Sequence, residues 1–126
     1  MIFGIGTDIV RIARIREDLE RFGERFAERI LAAGELKEFH QNANKANFLA
    51  RRFAAKEAAA KAMGTGFSQG INLRDIEVIH DDQGKPLLEF HGGAQAFIRE
   101  KCISVAHISL ADEQDNAVAF VALETA

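Results

Sequence analysis

Residues from about Ala46 to Met63 are dense in Ala, Leu, Arg, Lys and Glu, and Gly64 follows at the position where a helix closes, so this segment predicts one long helix that the rest of the chain must pack around. Ahead of it, Ile2-Phe3-Gly4-Ile5-Gly6 is short, apolar and Gly-punctuated, which predicts a buried strand whose end delivers Thr7 and Asp8 to a surface or cleft. From Val10 the period changes. Ile12, Ile15, Leu19 and Phe22 recur at steps of three and four, an amphipathic helix that Gly23 ends or kinks, and a further helical turn carries Arg25 and Arg29 beside Phe26 and Ile30. Gly34 to Asn47 reads as polar and irregular, with helical potential around Leu36 and Phe39 and an Asn-rich loop from His40 to Lys45.

The second half reads as strands with one helix. Ile71 to His80 and Pro86 to Phe90 flank the turn Asp81 to Lys85, and Gly92-Gly93 breaks the chain before a short helix from about Ala94 to Lys101. Val105 to Leu110 and Ala117 to Leu123 alternate around the turn Asp112 to Asn116. The expectation is an α+β fold with an antiparallel sheet packed against the long helix, in a single domain spanning 1–126.

Composition excludes several classes of function. The lone Cys102 has no internal partner and no Cys/His cluster has zinc-finger spacing, so neither a disulfide scaffold nor a structural zinc site is expected, and a reducing cytosol is the natural setting. No apolar run approaches a bilayer span and the N-terminal residues carry an acid, Asp8, which argues against a membrane protein or a signal peptide. Residues 1–60 hold 11 Lys and Arg against 9 Asp and Glu, whereas residues 61–126 hold 5 against 10. The first half is therefore the better host for an anionic partner, but a pI near 5.8 argues against general nucleic-acid binding.

Three features carry possible chemistry and a fourth a possible docking role, each with a plainer alternative. Asp8, at the end of Gly4-x-Gly6-x-Asp8, is either a functional acid at a strand end or the N-cap of the helix that follows. Phe53, Glu57 and Lys61 share one helical stripe, and the last two make either a working site or an i,i+4 bridge worth about 0.3–0.5 kcal/mol; the alanines around them leave room for something to approach. Gly64-Thr65-Gly66, Lys85-Pro86 and the strand residue His107 are either ligand contacts or ordinary turn and surface positions, and neither nucleotide-binding glycine motif is complete. The arginines of the first helices, Arg14, Arg21, Arg25 and Arg29, are either a solvated face balanced by Glu17, Asp18, Glu20, Glu24 and Glu28 or a docking surface.

Taken in order, GIGTDIV at 4–10, RFAERIL at 25–31, FLARRFAAKEAAAKAMGTG at 48–66, GKP at 84–86 and HISLAD at 107–112 resemble the holo-acyl-carrier-protein synthases, the short bacterial type of 4′-phosphopantetheinyl transferase, across essentially the whole chain. The resemblance implies transfer of the phosphopantetheine arm of coenzyme A to a serine of an acyl carrier protein, with release of adenosine 3′,5′-bisphosphate, in the cytoplasm and for fatty acid synthesis. It implies that Asp8 and Glu57 hold a Mg²⁺, that Glu57 or a metal-bound water it orients takes the serine proton, and that Lys61 neutralises the pyrophosphate. His107, Arg52 and Lys45 match positions near the 3′-phosphate and adenine end of coenzyme A, and Gly64, Thr65, Gly66 and Pro86 match positions lining the nucleotide and arm. Arg14, Arg21, Arg25 and Arg29 match the surface that docks the acidic carrier. Relatives of this type form homotrimers with the coenzyme A site between subunits, and no nucleic acid or membrane partner is implied. Many relatives place a second His shortly after the first in the late strand, where this chain continues Ser109-Leu110-Ala111-Asp112, so no role for such a residue carries over. The competing classes are a non-catalytic module docking an acidic protein through its arginines, and another Mg²⁺-dependent phosphohydrolase.

Overall fold

The computed structural model describes residues 1–126, and its longest helix, α4 (Lys45–Met63), lies where the composition demands it and closes on Gly64 with φ 81°. Around it the order is β1 (Ile2–Arg11), α1 (Ile12–Phe22), α2 (Glu24–Ile30), α3 (Ala33–Gln41), then after α4 a 3₁₀ turn (Leu73–Asp75), β2 (Ile76–His80), β3 (Pro86–Phe90), α5 (Gly92–Glu100), β4 (Ile103–Asp112) and β5 (Asn116–Thr125). β1, β5 and β4 form one antiparallel sheet in that spatial order, and β2 and β3 form a second, two-stranded one. The α+β expectation holds, with the antiparallel strands divided between two sheets.

Alternation on the larger sheet sets how closely α4 can approach. On β5, Ala117, Ala119, Val121 and Leu123 are fully buried against the helix, and on β1 the same face carries Gly4, Gly6, Asp8 and Val10. The helix answers with Ala54, Ala55, Ala58, Ala59 and Ala62, all buried. A Cβ on Gly6 would overlap the Ala58 carbonyl oxygen and stand 2.7 Å from the Ala62 nitrogen and 2.9 Å from Lys61 Cβ; one on Gly4 would overlap the Ala62 carbonyl oxygen. Strand and helix backbones are thus in direct contact. Two strand residues rise about 6.7 Å and four helical residues about 6.0 Å, so the two glycines keep step with Ala62 and Ala58.

A buried charge network fixes the other side of α4. Lys56 is 0% and Glu35 1% exposed, and their Nζ to Oε1 distance is 2.6 Å. Glu35 Oε1 also accepts from the Ala32 N–H at 2.9 Å, its Oε2 from the Val78 N–H at 3.0 Å and from Arg52 Nη1 at 3.4 Å. Lys56 donates further to the carbonyls of Leu73 and Ile76, and no buried side-chain polar atom is left without a partner. Burial pushes the Lys56 ammonium below its ordinary value while Glu35 opposes that shift. One carboxylate therefore ties α3, α4 and β2 together.

Several boundaries differ from expectation for identifiable reasons. β1 runs on to Arg11 because β5 pairs with it through Arg11↔Asn116, and α1 begins only at Ile12. The opening strand is not buried on both faces, because α4 covers one face only and leaves Ile5 61% and Ile9 66% exposed. The stretch read as irregular before α4 contains α3, whose first turn is closed by Glu35. Ile71 to His80 is a 3₁₀ turn followed by a shorter strand, with Asp75 Oδ2 accepting from the Asn72 N–H at 3.0 Å. Gly92 and Gly93 open α5 and do not merely precede it.

Glu35→Ala leaves an ammonium and a guanidinium buried without their shared acceptor, and we expect a loss of about 3–5 kcal/mol in urea unfolding. A loss below about 1 kcal/mol would show that the network does not hold the fold.

Candidate active site

The register of β1 on α4 decides where Asp8 goes. Continuing the step that sets Gly4 by Ala62 and Gly6 by Ala58 brings Asp8 alongside the preceding helical turn. Helical side chains lean toward the N-terminus of their helix, so Glu57 and Lys61 reach back toward that same level. Lys61 Nζ donates to Asp8 Oδ1 and to the Thr7 carbonyl, each at 3.0 Å. Asp8 is largely shielded while Lys61 stays half exposed, which gives a cluster with one open side.

Both plain alternatives for these residues fail. Asp8 caps no helix, since it lies within β1 opposite Ala119 and the N-cap of α1 is Arg11. Glu57 and Lys61 form no ion pair with each other; Lys61 pairs with Asp8 across the strand–helix contact. The Glu57 carboxyl is raised above the ordinary 4.5, first by burial and then by Asp8, with Lys61 and Arg14 opposing. Four groups from three elements, Asp8, Arg14, Glu57 and Lys61, therefore meet in one electrostatic site. Two carboxylates on one open edge are the hard-oxygen donor set that suits a divalent ion such as Mg²⁺.

The residues expected at the nucleotide end of a ligand are not gathered there. Lys45 begins α4, 12 residues or about 18 Å of helix before Glu57, and its Nζ bonds the Asn42 carbonyl at 2.9 Å. His107 lies on the exposed face of β4, the side of the sheet away from α4, with its Nε2 2.6 Å from Glu124 Oε1. Pro86 opens β3 opposite His80 in the other sheet. Gly64, Thr65 and Gly66 follow α4 in an exposed loop, with the Thr65 hydroxyl donating to the Gly66 carbonyl at 2.8 Å.

Arg52 departs from expectation altogether. It is 5% exposed, bonds Glu38 at 2.9 Å and the Val78 carbonyl at 3.1 Å, and stacks over Phe48 with Cζ 4.4 Å from the ring centroid. Its guanidinium bonds the α3–α4–β2 network and does not join the Asp8 and Glu57 cluster. Lys56 and Glu35 were not singled out from sequence at all. The available signal was Lys56 itself, a turn beyond Arg52 on a stripe about 100° away from that of Glu57.

Among the arginines of α1 and α2, none of Arg14, Arg21, Arg25 or Arg29 has a carboxylate oxygen within 4.0 Å; the ion-paired arginines are Arg51 and Arg52. The neighbouring glutamates do not neutralise this face by contact. On the smaller sheet Glu77, Glu89 and His91 bring ligating atoms within 4.8 Å of one another, with His91 Nε2 2.8 Å from Glu77 Oε1. That group belongs to β2, β3 and the start of α5, not to the Asp8 and Glu57 site.

Residues 4–121 match the family model of the 4′-phosphopantetheinyl transferase superfamily. The chain belongs to that superfamily. A holo-[acyl-carrier-protein] synthase of Halorhodospira halophila is 58% identical over 125 residues, covering 99% of either chain. The crystal structure of the Neisseria meningitidis holo-[acyl-carrier-protein] synthase superposes with a TM-score of 0.95 at 46% identity, covering 99% of this chain and 100% of that one. The Bacillus anthracis holo-(acyl-carrier-protein) synthase, solved in complex with CoA (3′,5′-ADP), gives 0.84 at 38% identity over 100% of this chain and 99% of that one.

The raised Glu57 carboxyl means that its proton stabilises the metal-free fold at low pH and that this contribution is lost as pH rises through the folded-state value. We expect Glu57→Gln to melt at or above the parent temperature at neutral pH without metal, while binding Mg²⁺ at least tenfold more weakly in the presence of coenzyme A. A lowered melting temperature would mean that Glu57 supports the fold and is not held there for a ligand.

Proposed function

We propose that this chain is a holo-[acyl-carrier-protein] synthase that moves the 4′-phosphopantetheine arm of coenzyme A to a serine hydroxyl of apo acyl carrier protein, releasing adenosine 3′,5′-bisphosphate. The observation that carries the proposal is the meeting of Asp8, Glu57 and Lys61 in a chain matched along its length by proteins of that name. Asp8 and Glu57 would hold Mg²⁺ through carboxylate oxygens. The ion would supply neutralisation of pyrophosphate charge, which phosphoryl transfer needs more than covalent help.

The chain's own groups supply the rest. Glu57, one helical turn before Lys61 on α4, takes the serine proton itself or orients a water that does. The serine oxygen forms a bond to the phosphorus attached to the pantetheine arm, and the P–O bond to the adenosine bisphosphate breaks with its electron pair leaving on that oxygen. Lys61 offers its ammonium to the developing charge from its place beside Asp8. The unpaired Arg14, Arg21, Arg25 and Arg29 form a cationic face suited to an acidic carrier, and Arg14 begins that face at the site itself.

The site is completed, in this proposal, by a second copy. The side of the larger sheet away from α4 exposes Ile5, Ile9, Val105, Val118 and Phe120, a contiguous apolar surface of the kind that marks an interface. His107 stands on that surface, so a homotrimer would carry it toward a neighbour's Asp8 and Glu57, with Gly64, Thr65, Gly66, Pro86 and Lys45 as further coenzyme A contacts. No helix is long and apolar enough to cross a membrane, and we place the enzyme in the cytoplasm, where it would serve fatty acid synthesis.

Incubation with coenzyme A, Mg²⁺ and apo acyl carrier protein is expected to add one phosphopantetheine mass to the carrier, and chelation to stop it; no mass shift on any bacterial carrier contradicts the assignment. Ile9→Asp, on the exposed face and clear of the core, is expected to sediment as a monomer with activity reduced at least 100-fold. A fully active monomer would remove the second copy from the site.

A further inference from the structure

The largest cavity, about 720 Å³, lies between α2, the 3₁₀ turn and the start of α5, and its wall includes Arg25, Arg29, Arg74 and His91 together with Glu28 and Asp75. It is not part of the Asp8 and Glu57 cluster, and nothing in the transfer chemistry uses it. Arg74 is exposed, and its Nε donates to the Leu31 carbonyl at 3.2 Å, which stretches the side chain from the 3₁₀ turn toward the end of α2. No carboxylate oxygen lies within 4.0 Å of the nitrogens of Arg25, Arg29 or Arg74. Asp75 is occupied with the Asn72 N–H. Three unpaired guanidiniums thus face one cleft that holds two carboxylates, one of them already engaged.

We propose that this cleft is a second anchoring point for the protein substrate, and that Arg74 is a docking residue that works with Arg25 and Arg29 to seat an acidic segment of the carrier. The inference rests on the carrier-transferase function proposed above. It extends that function in space: the cationic face starts at Arg14 beside the reacting groups, reaches Arg21 about 10 Å further along α1, crosses to Arg25 and Arg29 on α2, and ends in the cleft where Arg74 meets them from the far side. A partner held at both ends of such a path is oriented as well as attracted. Charged contacts at a rim act mainly on encounter and register, so the effect belongs in the carrier KM and not in the chemical step.

Steady-state labelling of apo acyl carrier protein by Arg74→Glu, Arg74→Gln and Arg74→Lys tests this, with melting temperatures measured alongside. Arg74→Glu is expected to raise the carrier KM about tenfold at low ionic strength and to flatten its salt dependence, leaving kcat and the coenzyme A KM unchanged. Arg74→Lys loses the bond to Leu31 but keeps the charge, and is expected to stay within about twofold of the parent KM, whereas Arg74→Gln is expected to rise severalfold. An unchanged carrier KM in Arg74→Glu, or equal behaviour of the Lys and Gln variants, overturns the proposal and leaves Arg74 as a tie to Leu31. If Arg14→Glu raises the carrier KM while Arg74→Glu does not, the cleft alone is excluded; if the parent labels no carrier, the transferase function falls and the docking role with it.

Discussion

Direct backbone contact between β1 and α4 is the constraint on which the rest depends. Gly4 and Gly6 leave no room for a Cβ against the carbonyls of Ala62 and Ala58, and the buried alanines of α4 and β5 remove the remaining bulk. Such closeness lets a short carboxylate on the strand meet two side chains from the helix. With the strand one side-chain layer further out, Asp8 would stand several ångströms from Lys61, and the 3.0 Å contact between them could not form.

The molecule handles its charges in two opposite ways. Glu35, Lys56 and Arg52 are buried and hydrogen-bonded, and they spend their charge on holding α3, α4 and β2 in place. Asp8, Glu57, Lys61 and Arg14 sit at the edge, two carboxylates beside two cations, with the Glu57 carboxyl shifted upward by burial and by Asp8. Lys56 and Glu57 are neighbours in sequence, yet one turns to the network and the other to the site. Anchoring the first orients the second. The arginines of α1 and α2 form a third arrangement, unpaired and outward, with charge left available for a partner.

Much of this was legible in the sequence, and the parts that were not share a cause. Asp8, Glu57 and Lys61 could be named from motif and helical spacing, and the α+β class from the change of period along the chain. Pattern alone still favoured a cap for Asp8 and an i,i+4 bridge for Glu57 and Lys61, because one-dimensional spacing does not register that two glycines bring a strand against the helix. The buried pair Lys56 and Glu35 was invisible for the same reason: their partner lies 21 positions away, and a lysine inside a protein is legible only when its acceptor is known. Resemblance carries residue identity and not side-chain direction, so it does not reveal that Arg52 turns into the α3–α4–β2 network. The apolar Ile5 and Ile9 make the opening strand look buried, whereas α4 covers only its other face and leaves both exposed.

Close strand–helix contact creates the candidate site, and Gly6→Ala probes that dependence, since one methyl group must force β1 away from α4 while every charged residue is kept. The measurement is kcat/KM for carrier labelling, taken well below the variant's melting temperature with the fold checked by circular dichroism. A fall of about 100-fold in a folded protein is predicted, the cost of misplacing reacting groups by roughly 1 Å. Parent-like kcat/KM in the folded variant would contradict the claim.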